Sequence, residues 1–366
     1  MSKGSLRRKF VLISLAAVLL VPVGCGPVEN TPEQGAAEQD AAQKKPPPAP
    51  EPAEAPPLEE EPAGKVVEVG PAPEGIAADP ETGLVAVALR NPNELALVDG
   101  ESGETLRKVE LPESARHLDL AAPGGPVLVP AEGSDSLVQV GLPEGEITSE
   151  TPVGDFPHAV AAVPNGRIFV VNEKDSTASI VKEGREIKEI QTPFKPGGVA
   201  VTDDGQVGVV GVRSLTLELF EAESLESLGR VSAGEGPTHV KAGPENCFYV
   251  TDTRGDAVLI YSTRPQPERL DRISLPDSPY GLAIDPQRNH LWVTLTAKQS
   301  VVQFALKGGT LREISRYPTV RQPNTVAVDS ASGRVFVTGK ADGQLQILEP
   351  RRTQAWLGKR ISMQDP

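Results

Sequence analysis

The stretch Gly234–Tyr261, GEGPTHVKAGPENCFYVTDTRGDAVLIY, decides how the rest of the chain is read. It holds a histidine, a cysteine and an Arg-Gly-Asp triplet, which suggest a metal site, a reactive thiol or an adhesion motif. It also has the form of one module of a repeating scaffold. Its pattern returns along the chain, aligned on a Pro (an Ala in one copy) that precedes a short strand. The copies are PEGIAADPETG from Pro73, ARHLDLAAPGG from Ala115, PHAVAAVPNG from Pro157, PGGVAVTDDG from Pro196, PTHVKAGPEN from Pro237, PYGLAIDPQRN from Pro279 and PNTVAVDSASG from Pro323. The intervals are 42, 42, 39, 41, 42 and 44 residues. Self-similarity at such a period marks a solenoid or a propeller.

Each copy has the same internal order. A short alternating strand follows the anchor, then a Gly/Asn/Asp turn, then an apolar strand such as Ile168–Val171, Cys247–Val250, Leu291–Val293 or Val335–Val337. A polar hairpin leads to a third strand, such as Val258–Ile260, and a more polar fourth closes the unit. No helical period intervenes. Four strands in some 42 residues make a propeller blade. The expected fold is therefore all-β, a seven-bladed propeller of four-stranded antiparallel blades, preceded by a signal peptide and a disordered linker. One strand is surplus: Val66–Val69 precedes the first blade and Thr353–Ile361 follows the last. The alternation in Val66–Val69 favours it as the outer strand of the blade holding Val335–Val337, where it would join the two ends of the ring.

The run PxGIAxxPxG, followed by FVVN (Phe169–Asn172) or YVTD (Tyr249–Asp252), resembles the YVTN family of β-propellers. NHL and virginiamycin-lyase-like propellers share much of this pattern. The resemblance covers Lys65 to about Leu357. It implies a fold and leaves the activity open, because one scaffold hosts many functions. The other copies carry Leu89, Ala131, Gly211, Leu295 and Gly339 where these two have Asn or Asp.

The N-terminus, MSKGSLRRKFVLISLAAVLLVPVGCG, has a basic start and a 14-residue apolar run, Phe10–Val23. That is short for a span, which needs roughly 20 residues, and suits a signal segment. Val23-Gly24-Cys25 resembles a bacterial lipobox, with Pro22 where Leu is usual, so Cys25 is the expected lipidation site. The expected domains are a lipoprotein signal peptide (1–24), a lipidated, acidic Pro/Glu/Ala-rich disordered tether (25–64) and the propeller (65–366). Ten prolines, one Leu and no aromatic between Gly26 and Gly64 cannot form a core and favour extended polyproline II. The protein is thus expected to be exported and held on the cell membrane by its lipid alone, facing the periplasm or exterior. With 36 Lys and Arg against 50 Asp and Glu, net charge −14, the chain is unsuited to nucleic acid and to anionic lipid.

Several tempting residues have plain readings. Cys247 heads an apolar strand and reads as a small buried hydrophobe. Arg254-Gly255-Asp256 falls where other blades have turn residues. The residues one and two past the anchors converge at one end of the channel. They supply the candidate ligand-binding set: Glu74, Arg116, His117, His158, His239, Tyr280 and Asn324. Imidazoles there could bind a ligand or a metal, act as bases, or simply bond neighbouring blades. No catalytic residue, metal or cofactor is assigned, since no nucleophile, metal or dinucleotide motif occurs in a usable context. The reading is a monomeric binding scaffold for an envelope protein, peptide or small ligand. The competing class is a lactonase- or lyase-like enzyme at the channel mouth; virginiamycin-lyase-like relatives imply catalytic His and a carboxylate-bound metal there. Arg116, His158, Tyr280 and Asn324 should share a face with the Arg254 loop, and His290 should lie opposite.

Overall fold

A computed structural model describes residues 47–307 and 309–350. The signal segment, Cys25, the first part of the expected tether and Thr353–Ile361 lie outside the described residues. No described helix is long and apolar enough to cross a membrane.

The chain from Lys65 onward forms seven four-stranded antiparallel sheets. In blade five the strands are Pro237–Gly243, Cys247–Asp252, Ala257–Ser262 and Glu268–Ser274. The burial pattern explains the order. Second and third strands are buried almost throughout, as in Cys247–Asp252 and Ala257–Ser262, and fourth strands face water, as in Glu268–Ser274. A strand covered on both faces must be apolar at every position, whereas the outer strand alternates or turns polar.

The core is a series of inter-blade layers. Ala200, Val210 and Leu219 of blade four pack with Phe248, Val250 and Tyr261 of blade five. Gly208 has no side chain because a Cβ there would meet the Phe248 ring at 2.8 Å. Blade two has a two-residue inner strand, Asp119–Leu120, and Ala115 adds a single bridge to Ala131.

Ring closure follows the expectation. Lys65–Glu68 pairs antiparallel with Gln344–Leu348, with Val66 opposite Gln346, and forms the outer strand of blade seven. The last strand of the ring thus shares a sheet with the first, so no edge is left open there.

The boundary of the tether is revised. Residues 47–64, read as free linker, lie against the ring, and Ala55 is only 6% exposed. Prolines keep this segment extended without regular structure, and side chains of the propeller supply the hydrogen bonds it cannot make internally.

Candidate ligand-binding site at the channel mouth

A conserved irregularity of backbone geometry builds the mouth. In blades three to seven the register slips by one residue just past the anchor: Pro157 pairs with Asn172 but Ala159 with Val171, and Pro237 with Asp252 but Val240 with Val250. This is a β-bulge, which re-aims a side chain out of the ladder. In blade three the extra residue is His158, directed at the centre of the ring.

A second circle of residues, absent from the expected set, joins the first. Each stands one position past the second strand: Arg90, Glu132, Glu173 and Lys340. Arg90 Nε lies 2.5 Å from Glu74 Oε2, and its Nη2 donates to Glu132 Oε2 at 2.8 Å. Lys340 Nζ donates to Glu74 Oε1 at 2.8 Å. Arg116 Nε stands 3.8 Å from Glu74 and 3.6 Å from Glu132. His158 Nδ1 is 3.2 Å from Glu132 Oε1 and 3.5 Å from Glu173 Oε2. Burial pushes the Glu132 carboxyl up, but His158, Arg116 and Arg90 outweigh it and hold it below its ordinary value. Burial also works against the Arg116 charge, and Glu74 and Glu132 more than offset it. Positive and negative charges thus share one partly dry site, which buried charges tolerate only when paired. The alignment of these second-strand ends was visible in the sequence; their convergence was not.

Below this network His117 meets His158 and His239 edge to face, with ring centroids 4.9 and 4.6 Å apart, and His239 meets Tyr280 at 4.5 Å. Burial pushes His117 well below an ordinary histidine, helped by His239, His158 and Arg116. Burial, His158 and Lys241 bring His239 down to about 3. Both rings are partly buried beside a narrow channel and surrounded by protein, so they are neutral at pH 7. Neither His239 nitrogen makes a well-formed hydrogen bond. Burial keeps the Tyr280 hydroxyl protonated despite the adjacent Arg116. Among the described residues no three His, Cys, Asp or Glu side chains converge as a metal would need.

Of the expected set, Glu74, Arg116, His117, His158, His239 and Tyr280 come together. Asn324 is 2% exposed, and its Oδ1 accepts at 3.0 Å from Gln322 Nε2, which also donates to Ala53 O of the segment crossing the mouth. Threonines and His158 both bond between blades, His158 to Glu132 of blade two. Thr251 Oγ1 donates to Tyr280 O at 2.8 Å, Thr253 Oγ1 to Pro279 O at 2.7 Å, and Thr325 Oγ1 to Glu74 O. His290 begins a second strand opposite Asp285, at the far end from the anchors, as expected.

The Arg-Gly-Asp triplet and the Asp of YVTD have structural uses. Asp252 is buried and accepts from Glu235 N (3.0 Å), Gly236 N (2.7 Å) and Gly255 N (3.2 Å). A Cβ at Gly234 or Gly255 would collide with its carboxylate, so both glycines are there to admit it. Asn172 works differently: its Nδ2 donates to Thr177 Oγ1 and Ser179 Oγ, both at 3.0 Å, and a Cβ at Gly154 would collide with its amide. Cys247 is 4% exposed, and burial together with Glu245 pushes its thiol up, which leaves it unreactive.

The segment 47–57 crosses this face. Beneath it, between Pro50, Glu51, Arg116, His158 and His239, about 40 Å³ stays open to water, and about 60 Å³ in the channel below. A larger recess of about 380 Å³ lies to the side, between Pro56, Glu59, Lys298, Gln299 and Arg316.

No protein-family model matches the chain, and no curated protein matches it. Solved structures do. The chain is similar to a chain of the Kuenenia stuttgartiensis hydrazine synthase at 16% identity, with TM-score 0.68 over 77% of this chain and 96% of that one. It is similar to a streptogramin B lyase at 16% identity, TM-score 0.66, over 78% and 98%. The virginiamycin B lyase of Staphylococcus aureus gives 15%, TM-score 0.65, over 78% and 99%. At these identities the likeness shows the seven-bladed propeller fold alone.

Proposed function

We propose that this protein is a YVTN-type propeller that works as a binding scaffold at the cell envelope, exported, anchored by a lipid on Cys25, and engaging an envelope protein or peptide through its mouth face. One observation carries the choice of face: the chain's own segment 47–57 is held across the mouth by ring side chains. A surface that already holds one extended polypeptide has the donors and the shape to hold another. The mouth charges are paired with one another, and the space beneath the segment admits roughly three waters, which suits contact with a polypeptide better than enclosure of a small substrate.

Two experiments test this reading. A photo-reactive residue in place of Lys174, exposed on the mouth face, is expected to cross-link a discrete partner in intact cells, while one in place of Asn165, on the opposite face, is not. A product from Asn165 alone, or from neither, rules out the mouth. For the anchor, Cys25→Ser is expected to move the protein from the membrane to the soluble fraction. Retention with the membrane removes the lipid assignment.

A lyase-like enzyme remains the second reading. It is supported by the fold shared with a streptogramin B lyase and a virginiamycin B lyase and by the imidazoles gathered at the channel mouth. It requires the covering segment to leave the mouth, so turnover found only in a protein lacking 47–57 would select it.

A further inference from the structure

We propose that residues 47–57, PPAPEPAEAPP, are a built-in occupant of the mouth, and that the ligand the mouth takes in their place is an extended, proline-rich, acidic peptide. This rests on the mouth being the binding face and names the class of its ligand.

The contacts read the backbone of a proline-rich chain. Prolines carry no N–H, so such a chain offers mainly carbonyls, and the ring supplies side-chain donors to them. Arg213 Nε donates to Pro47 O at 3.0 Å and Arg254 Nη2 to Pro48 O at 2.8 Å. Gln322 Nε2 donates to Ala53 O at 2.9 Å and Gln299 Nε2 to Pro56 O at 2.6 Å. Two of the N–H groups between prolines are matched as well. Ala55 N donates to Gln322 Oε1 at 2.8 Å, so one amide side chain holds both Ala53 and Ala55, and Ala53 N lies 3.3 Å from Ser278 Oγ. Four blades, from the fourth to the seventh, share the task.

Side chains add shape and charge. Ala49 packs beside Val212 and its neighbours, Pro50 lies over Gly236, and Ala55 is buried, while Glu51 and Glu54 project outward. Small residues face in and acids face out, so a bulky or charged residue at position 55 has no room. Glu51 reaches to 3.9 Å from Arg116, and the donors Arg213 and Arg254 give the path a positive lining that suits an acidic chain. Beside the Pro47 contact, the Arg213 guanidinium lies 5.4 Å from the ring centroid of Phe194, which is 43% exposed. Aromatic rings beside donors are how preformed polyproline helices are commonly held.

The occupant is tied to the ring eight residues downstream, where Lys65 enters the closing strand. Such tethering gives it an effective concentration of roughly millimolar. A peptide arriving from outside must therefore compete with it, and the segment sets a threshold for binding.

The test uses full-length protein in detergent and a fluorescein-labelled synthetic peptide of residues 46–58, PPPAPEPAEAPPL, followed by fluorescence anisotropy. Wild type is expected to bind it weakly. Two variants remove the competitor by different routes: Ala55→Asp, and deletion of 47–57. Both are expected to bind the peptide at least tenfold more tightly than wild type, and a peptide carrying the Ala55→Asp change is expected not to bind. The proposal is overturned if folded variants bind the peptide no better than wild type. It is overturned equally if both variants lose the cooperative melt, since the segment is then a permanent clamp of the ring. Cross-linking through Lys174 together with absent peptide binding would keep the mouth as the binding face and remove the peptide class.

Discussion

Acidification from pH 7 to pH 4.5 is expected to remove about 2–3 kcal/mol from the stability of the propeller through His239, with His117 acting in the same direction. Both have folded values depressed by burial, His239 to about 3. In the unfolded chain each takes up a proton near pH 6.5, whereas in the ring it stays neutral. The unfolded state therefore binds more protons throughout this window, and His239 costs about 1.4 kcal/mol per pH unit below pH 6.5. Burial sets the direction, and His158, Arg116 and Lys241 add to it by disfavouring a further positive charge. Two carboxyls modify the lower end. Asp119, raised by burial against the pull of Lys241, favours its proton in the folded state and offsets part of the loss in acid. Glu132, held low, withdraws its contribution only as pH falls below its unfolded value of about 4.3. Urea unfolding of the wild type and of a His117→Gln, His239→Gln double variant at both pH values checks this. The variant is expected to lose less than half as much. Equal losses in the two proteins, or a wild type equally stable at both pH values, would contradict it.

Val69→Asp is expected to lower the melting temperature by roughly 6–15 °C, corresponding to about 3–5 kcal/mol for an unpaired charge placed in a core. Val69 follows the closing strand, is 3% exposed, and packs with Val67, Leu89 and Ile347 between blades seven and one. Its N–H donates to Gly343 O at 2.9 Å, continuing the ladder that begins at Lys65 opposite Ile347. An aspartate there would break the apolar layer where the two ends of the chain meet. Blade-to-blade packing holds elsewhere in the ring, so the lesion acts on the latch. A melting temperature within 2 °C of wild type would show that closure does not depend on this strand.

The fold was legible because each level of the sequence says the same thing. The anchors recur at 39 to 44 residues, second strands such as CFYVTD are mostly apolar and buried throughout, and fourth strands are polar. Covering on two faces against covering on one produces that difference, so burial could be read from composition alone. The candidate site was legible in part. His158 and His239 follow their anchors, and the bulge that carries them inward belongs to the repeat. Asn324 follows the same rule, and its side chain is engaged by Gln322 two residues away. Glu132, Glu173, Arg90 and Lys340 were missed although they share one position past the second strand, since only the radial closure of seven blades brings that position to one centre.

The sequence by itself determined the number of blades and the order of their strands, because these follow from local turns and from which strands must be apolar; it favoured Val66–Val69 as the closing strand, and the pairing with Gln344–Leu348 decided it. The tertiary structure alone decided what becomes of PPAPEPAEAPP. Nothing in a run of Pro, Ala and Glu can bury enough surface to order itself, and by composition it is a linker. Its conformation is set by donors that lie far away in the chain: Arg213, Arg254, Gln299 and Gln322 meet its carbonyls only after four blades have folded side by side.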